Sequence, residues 1–201
     1  YEGSNVPSDF LLDTAAYADG DYELVVSVLT ANGAVVSKTV PVTFHNAWEL
    51  VDDLLPPKTT AWGGMTLSLD RSLHADSSPG WEYREGPEGS MDDETRLARS
   101  GDTTEYLLWE AEGLTGFSVV LYAADQNVED HVVFEVAKTK DQWSVVPYTV
   151  TVLDQSEGWY ALKLQGSVAE PGAMLRLTIK EGKFPGDALQ LGKVTLSGIK
   201  K

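Results

Sequence analysis

Residues 106–143 carry the longest run of strict alternation between apolar and polar positions. Phe117, Val119 and Leu121 fall on one face of an extended chain and Ser118, Val120 and Tyr122 on the other; Val132, Phe134 and Val136 repeat the device after a polar interruption. A period of two is the mark of a strand with one face buried, so this stretch predicts neighbouring antiparallel strands. The interruption, 124–130 (ADQNVED), is acidic and amide-rich with no Gly or Pro. It reads as a loop that presents side chains rather than a minimal hairpin turn, with Gln126 and Asn127 as its hydrogen-bonding groups. The two strands flanking this loop are placed at 116–123 and 131–137, and further strands are predicted at 65–69, 95–99, 105–110, 146–153, 159–164, 175–180 and 192–198. Leu175, Leu177 and Ile179 point inward, as do Tyr160, Leu162 and Leu164. No long helix is predicted.

Ahead of this region, two strands are plain at 22–30 and 35–44. Tyr22, Leu24, Val26 and Val28 line one face of the first, and Val40, Val42 and Phe44 one face of the second. Ala31-Asn32-Gly33 is the predicted turn, with Asn-Gly supplying the positive dihedrals of a tight hairpin. Two or three strands with one apolar face are marginal alone, so that face is expected to dock on something. Residues 47–61 read as a linker stiffened by Pro56-Pro57, with Gly63 and Gly64 just beyond. The expected organisation is a small β segment over 1–46, a linker over 47–61 and one β-sandwich over 62–201.

Composition narrows the partners. The 201 residues hold 31 Asp and Glu against 15 Lys and Arg, a net charge of −16, which disfavours attraction to nucleic acid or to an anionic membrane. With no cysteine, disulfides, thiolate metal sites and a cysteine nucleophile are excluded. No apolar run approaches the roughly 18 residues of a membrane-spanning helix. The chain starts without Met or an apolar leader, and it reads as a piece of a larger protein.

The first 46 residues resemble the last strands of the immunoglobulin-like modules of bacterial surface proteins and secreted enzymes. The matching features are Leu12-Asp13-Thr14, Tyr17, Asp19-Gly20 and Tyr22 with Leu24 leading into the hairpin, Tyr22 matching the corner tyrosine of that family. The earlier strands of such a module are absent from the sequence. The remainder resembles the galactose-binding-like, jelly-roll carbohydrate-binding modules attached to bacterial polysaccharide-degrading enzymes. The residues concerned are Arg96-Leu97-Ala98-Arg99, Tyr106-Leu107-Leu108-Trp109, Phe117-Ser118-Val119, Trp143, Gly158-Trp159-Tyr160 and the closing Leu191-Gly192-Lys193-Val194-Thr195-Leu196. The resemblance implies an all-β, antiparallel jelly-roll sandwich preceded by a partial immunoglobulin-like segment. It also implies a secreted or cell-surface location, a polysaccharide or oligosaccharide ligand, and a catalytic domain in the same parent chain.

Catalytic arrangements fit poorly. Glu110 and Glu112, and Glu82 with Arg84 and Glu85, do not form the Glu-x-Asp-x-x-Glu strand of sandwich glucanases. Three histidines, His45, His74 and His131, lack the companions of a lyase, and no Gly-x-Ser-x-Gly elbow is present. Asp92, Asp93 and Glu94 gather hard oxygen ligands in one turn, and a structural calcium there is what the resemblance implies; a solvated acidic turn is the other reading. Asp125, Glu129 and Asp130 are a second acidic group.

Sugar recognition requires an apolar platform for the C–H face of a pyranose and planar polar groups for its hydroxyls. Trp109, Tyr106, Trp159 and Tyr160 lie within predicted strands and are assigned to packing. Trp143, and Trp81 with Tyr83 and Arg84 in the long segment 72–90, fall in predicted loops and are the candidate ligand-binding residues, together with Gln126 and Asn127. Each loop tryptophan has a second reading, as a cap on the sandwich edge. Arg84, Arg96, Arg99 and Lys140 are the candidates for a local basic site.

Overall fold

A computed structural model describes residues 11–85 and 95–200, which form two compact units. One takes the chain up to Ala47 with the last residues from Ile199; the other runs Trp48–Gly198. Apart from two single 3-10 turns, at Thr14–Ala16 and Gly186–Ala188, the regular structure of the described residues is strand. No helix among them is long and apolar enough to cross a membrane.

The first unit is a hairpin of β1 (Gly20–Leu29) and β2 (Val35–Phe44), paired over ten positions from Gly20↔Phe44 to Leu29↔Val35. The register puts Tyr22, Leu24, Val26 and Val28 on one face with Val36, Val40, Val42 and Phe44, as the alternation predicts. The connection is wider than a two-residue turn. The Thr30 N–H donates to the Ala34 carbonyl (2.8 Å), and Gly33 takes positive φ (84°) while Asn32 uses its side chain to accept from the Ala34 N–H (3.3 Å). At the base, Tyr22 and Phe44 stack 4.8 Å apart with Tyr17 against both, and the Tyr22 hydroxyl donates to the Ala18 carbonyl (2.9 Å).

The second unit is built on two unusually long strands, β9 (Glu105–Ala123) and β13 (Trp159–Ile179). Each merges two of the strands predicted separately. They pair antiparallel from Tyr160↔Ala123 through Leu175↔Trp109 to Ile179↔Glu105, with register shifts between Ser167 and Met174. Those shifts leave a net one extra residue on β13, so its inward positions change from even (Leu162, Leu164) to odd (Leu175, Leu177, Ile179), while those of β9 are odd in both halves (Leu107, Trp109; Phe117, Val119, Leu121), with Leu114 buried at the corner between them. The two halves of this pair belong to the two layers of a sandwich. In the first layer, β6 (Asp76–Ser77) pairs with the start of β9, the end of β13 pairs with β10 (Val132–Ala137), and β10 pairs with β11 (Trp143–Val145). In the second, β12 (Tyr148–Ser156) flanks the start of β13, and the end of β9 pairs with β14 (Leu189–Ile199), which carries β8 (Thr95–Arg99) and then β7 (Trp81–Glu85). β11 holds Trp143, predicted to lie in a loop, and Pro147 separates it from β12, which begins two residues into the strand predicted at 146–153.

Residues 47–61, expected as a linker, carry β3 (Ala47–Asp52), which pairs with β14, and the buried Leu54. They also open a separate hairpin of β4 (Lys58–Trp62) and β5 (Met65–Leu69), joined by Gly63 and Gly64 with positive φ (56° and 80°). Trp62, Met65, Leu67 and Leu69 share one face of that hairpin and are exposed, Trp62 at 72%.

Between the layers, Phe117 stacks on Phe134 with centroids 4.3 Å apart, and Tyr148 meets Phe134 edge-on at 5.0 Å. The Tyr148 hydroxyl donates to the Val132 carbonyl (2.8 Å), and burial pushes its phenol pKa up. Gly166 sits opposite Phe117 because the ring occupies the space a Cβ needs. Among the described residues, Asp52 is the most deeply buried carboxylate. It accepts from the Trp109 indole N–H (2.9 Å) and from the backbone N–H groups of Leu54 (3.0 Å) and Leu73 (3.1 Å), and His74 Nδ1 stands 3.8 Å away. Burial alone raises its pKa; the neighbouring His74 and the three donors outweigh burial and hold the carboxyl below its ordinary range.

Two outcomes are expected. Gly166→Ala drives a methyl group into the Phe117 ring and destabilises the unit by about 2 kcal/mol in denaturant unfolding. Asp52→Ala strands three donors and costs about 3 kcal/mol. Because the folded-state carboxyl titrates below its unfolded value of about 3.8, its stabilisation is complete above that value and is lost as pH falls through the lower folded one. Unfolding midpoints measured from pH 7 downward therefore show an acid-side loss that Asp52→Asn diminishes.

Candidate ligand-binding face

In a strand, the positions that do not fill the core must form the outer surface, and on the first layer they form a coherent set. The cross-strand register gives one row of Val145, Glu135, Arg176, Leu108 and Asp76, a second of Trp143, Ala137, Met174 and Glu110, and a third of Val133, Thr178 and Tyr106. The side chains are tied together. The Arg176 guanidinium donates through Nε to Glu135 (2.9 Å), lies 2.8 Å from the same carboxylate through a terminal nitrogen, and covers the Trp143 ring at 4.3 Å. The Trp143 indole N–H donates to the Lys140 carbonyl (3.0 Å), and the Lys140 ammonium stands 3.6 Å from Glu110. The Tyr106 hydroxyl donates to Asp76 (2.9 Å), and that bond keeps the phenol protonated by raising its pKa. Ala137 and Met174 lie in the same row as Trp143 and are buried, so their neighbours wall this part of the face.

Beside it, β11 borders a groove of about 490 Å³ between β10 and the register-shifted stretch of β13. Val145, Val146 and Val168 supply apolar lining, Gln142 and Ser144 polar groups, and Lys138 pairs with Glu170 at 2.6 Å. A volume of that order suits a small ligand or a few sugar residues.

The candidate residues from the sequence do not converge. Trp143 joins the face just described. Trp81, Tyr83 and Arg84 lie not in a loop but on β7, which stands at the other end of the strand order from β11. Trp81 and Tyr83 are half-buried against the core, and the Trp81 indole N–H donates to the Tyr106 carbonyl (3.0 Å). Trp81 is thus a cap on the sandwich. Arg84 pairs with Glu82, with Asp187 4.0 Å away. Gln126 and Asn127 are exposed, but Val128 between them and the next strand is buried and anchors the loop. Asp125 accepts from the Asn127 backbone and side chain (2.8 Å each) and meets Lys183 at 2.9 Å; the Asn127 N–H bond and Lys183 hold its carboxyl at about 2. Asp92, Asp93 and Glu94 lie outside the described residues, and among the described residues no three His, Asp or Glu side chains gather as a metal set.

The expected basic site is also redistributed. Arg99 is fully buried and donates to the carbonyls of Thr103 (2.6 Å), Lys180 (3.1 Å) and Phe184, binding two loops together. Arg96 is buried with its guanidinium 3.6 Å from the Tyr122 ring centre. Four members of the outer face, Tyr106, Asp76, Glu135 and Arg176, are absent from the sequence-based candidates. Tyr106 was assignable from parity, since Leu107 and Trp109 fill the core and residue 106 must face the other way.

No protein-family model matches the chain, and no curated protein does. Solved structures are similar only loosely. The K2 cleaved adhesin domain of Lys-gingipain is 10% identical with a TM-score of 0.43, over 74% of this chain and 97% of that one. The M60 catalytic domain with the CBM51-1 and CBM51-2 domains from Clostridium perfringens ZmpB is 16% identical with a TM-score of 0.35, over 94% of this chain and 19% of that one. A structure of carbohydrate-binding modules from the β-sandwich superfamily is 10% identical with a TM-score of 0.31, over 91% and 74%. At these values the likeness assigns no function, and the local chemistry has to carry it.

The two tryptophans separate in stability measurements. Trp81→Ala opens a hole over the core and is expected to cost about 2 kcal/mol, whereas Trp143→Ala loses a surface contact with Arg176 and costs about 0.5 to 1 kcal/mol. Chemical denaturation of both variants reads the difference.

Proposed function

We propose that this chain is a non-catalytic carbohydrate-binding module whose ligand lies on the outer face of the first layer, around Trp143, Arg176, Glu135, Tyr106 and Asp76. The observation that carries the reading is the association, on one rigid strand surface, of two aromatic side chains with a half-buried, doubly held Arg–Glu pair and a Tyr–Asp pair. Aromatic rings complement the C–H face of a sugar, and planar guanidinium and carboxylate groups complement its hydroxyls. Because β9, β10, β11 and β13 hold these groups in register, little order has to be gained on binding. The adjoining groove extends the surface along β11.

In this reading the module belongs to a secreted or cell-surface, bacterial polysaccharide-degrading protein. It holds a catalytic domain of the same parent chain near an extended glycan by raising its local concentration. The β1–β2 unit is then the end of an immunoglobulin-like module, consistent with the Tyr22 corner bond. The acidic stretch Asp92, Asp93 and Glu94 is the proposed place for a structural calcium. Nucleic acid and membrane are not partners in this proposal. A second reading, a spacer that docks protein, draws on the exposed apolar face of the β4–β5 hairpin.

Calorimetric titration of the whole chain against a polysaccharide panel decides between them. The expected result is binding to at least one glycan, weakened about tenfold or more by Trp143→Ala and by Arg176→Ala and little changed by Trp62→Ala. Binding to no glycan, or loss through Trp62→Ala alone, removes the proposed site.

A further inference from the structure

Resting on that reading, we infer that the face is selective for neutral glycans and excludes uronate and sulfate polymers, because its cations are already matched to carboxylates on the face itself. Recognition of a polyanion needs a cation whose donors are turned toward the ligand. Arg176 is held by Glu135 at 2.8 and 2.9 Å, Lys140 faces Glu110 at 3.6 Å, and Lys138 at the groove meets Glu170 at 2.6 Å. A fourth carboxylate, Asp76, is the acceptor for the Tyr106 hydroxyl. Four carboxylates against three cations leave this surface with a formal balance of −1, in a chain of −16. Lys180, just past the end of β13, is turned onto the Asp130 carbonyl at 3.4 Å.

The Arg176–Glu135 pair is the decisive one. Both side chains are half-buried, the guanidinium rests on the Trp143 ring, and its Nε and a terminal nitrogen converge on one carboxylate. A ligand carboxylate approaching Arg176 finds that charge already matched by Glu135, whose carboxylate repels it, and meets Asp76 across Leu108 in the same row. A sugar hydroxyl meets no such conflict, since it donates to Glu135 or Asp76 and accepts from the remaining guanidinium donors. Like charges on a partly desolvated face are screened less than those in free solution, so exclusion is strongest at low salt.

The test uses the whole chain. Soluble neutral β-glucan, galactomannan and galactan are titrated beside polygalacturonate, alginate and a sulfated galactan, at low and at high salt. The expected result is binding to a neutral polymer with an affinity that salt changes by less than about threefold, and none to the polyanions. The double variant Glu135→Gln with Asp76→Asn shifts the formal balance to +1 and is expected to gain polygalacturonate binding, about tenfold above wild type at low salt, which high salt abolishes. Tighter binding of a polyanion than of every neutral polymer by the wild-type chain overturns the selectivity while leaving the glycan site standing. A double variant that still ignores polygalacturonate overturns the role assigned to the ion pairs. Binding to no polymer at all overturns the glycan reading and this inference with it.

Discussion

The pairing of β9 with β13 is the constraint on which the Trp48–Gly198 unit depends. Two strands of 19 and 21 residues are each longer than one layer requires, and they run together from one layer into the other. Every other strand of the sandwich finds its place from them: β6, β10 and β11 beside one half, and β12, β14, β3, β8 and β7 beside the other. A long strand that changes layers must keep its apolar face toward the core on both sides of the corner. β9 does so on odd positions in both halves, with Leu114 buried at the corner between them, and β13 does so with one extra residue between Ser167 and Met174, which reverses the parity of its inward positions.

That parity also makes the candidate site. Once Leu107 and Trp109 are inside, Tyr106, Leu108 and Glu110 are outside, and the register sets them against Thr178, Arg176 and Met174. The outer face is thus the complement of the core and inherits its rigidity. The Arg176–Glu135–Trp143 group sits over three adjacent strands, β13, β10 and the edge strand β11, whereas the β4–β5 hairpin has neither a third strand nor a buried face among the described residues.

At the margin, charged groups do structural work that a composition count cannot distinguish from surface solvation. Asp52 ends β3, turns the chain through Leu54, a buried residue held at positive φ (48°), and takes the Trp109 indole N–H. The cost of that backbone conformation, about 1 kcal/mol, is offset by placing the Leu54 side chain in the core. Arg99 serves in the same way, donating to the loop carbonyls of Thr103, Lys180 and Phe184. Both residues look in the sequence like two more charges in an acidic chain.

The alternation of apolar and polar positions determined the all-β class, the antiparallel pairing, most strand positions and the inward residues of β9, β10 and β13, because a period of two is local and survives any arrangement of partners. It also marked Trp143 as a candidate. Tertiary structure alone decided that 105–110 and 116–123 are one strand, that β3 and β7 are strands at all, and that Trp81 caps the core while Trp143 meets Arg176. Those outcomes depend on which strand lies next to which, a matter of register between residues as far apart as Asp76 and Leu108 or Glu135 and Arg176. A loop-like composition cannot reveal a hydrogen-bonded neighbour distant in sequence, and the outer face that carries the candidate site exists only where those neighbours meet.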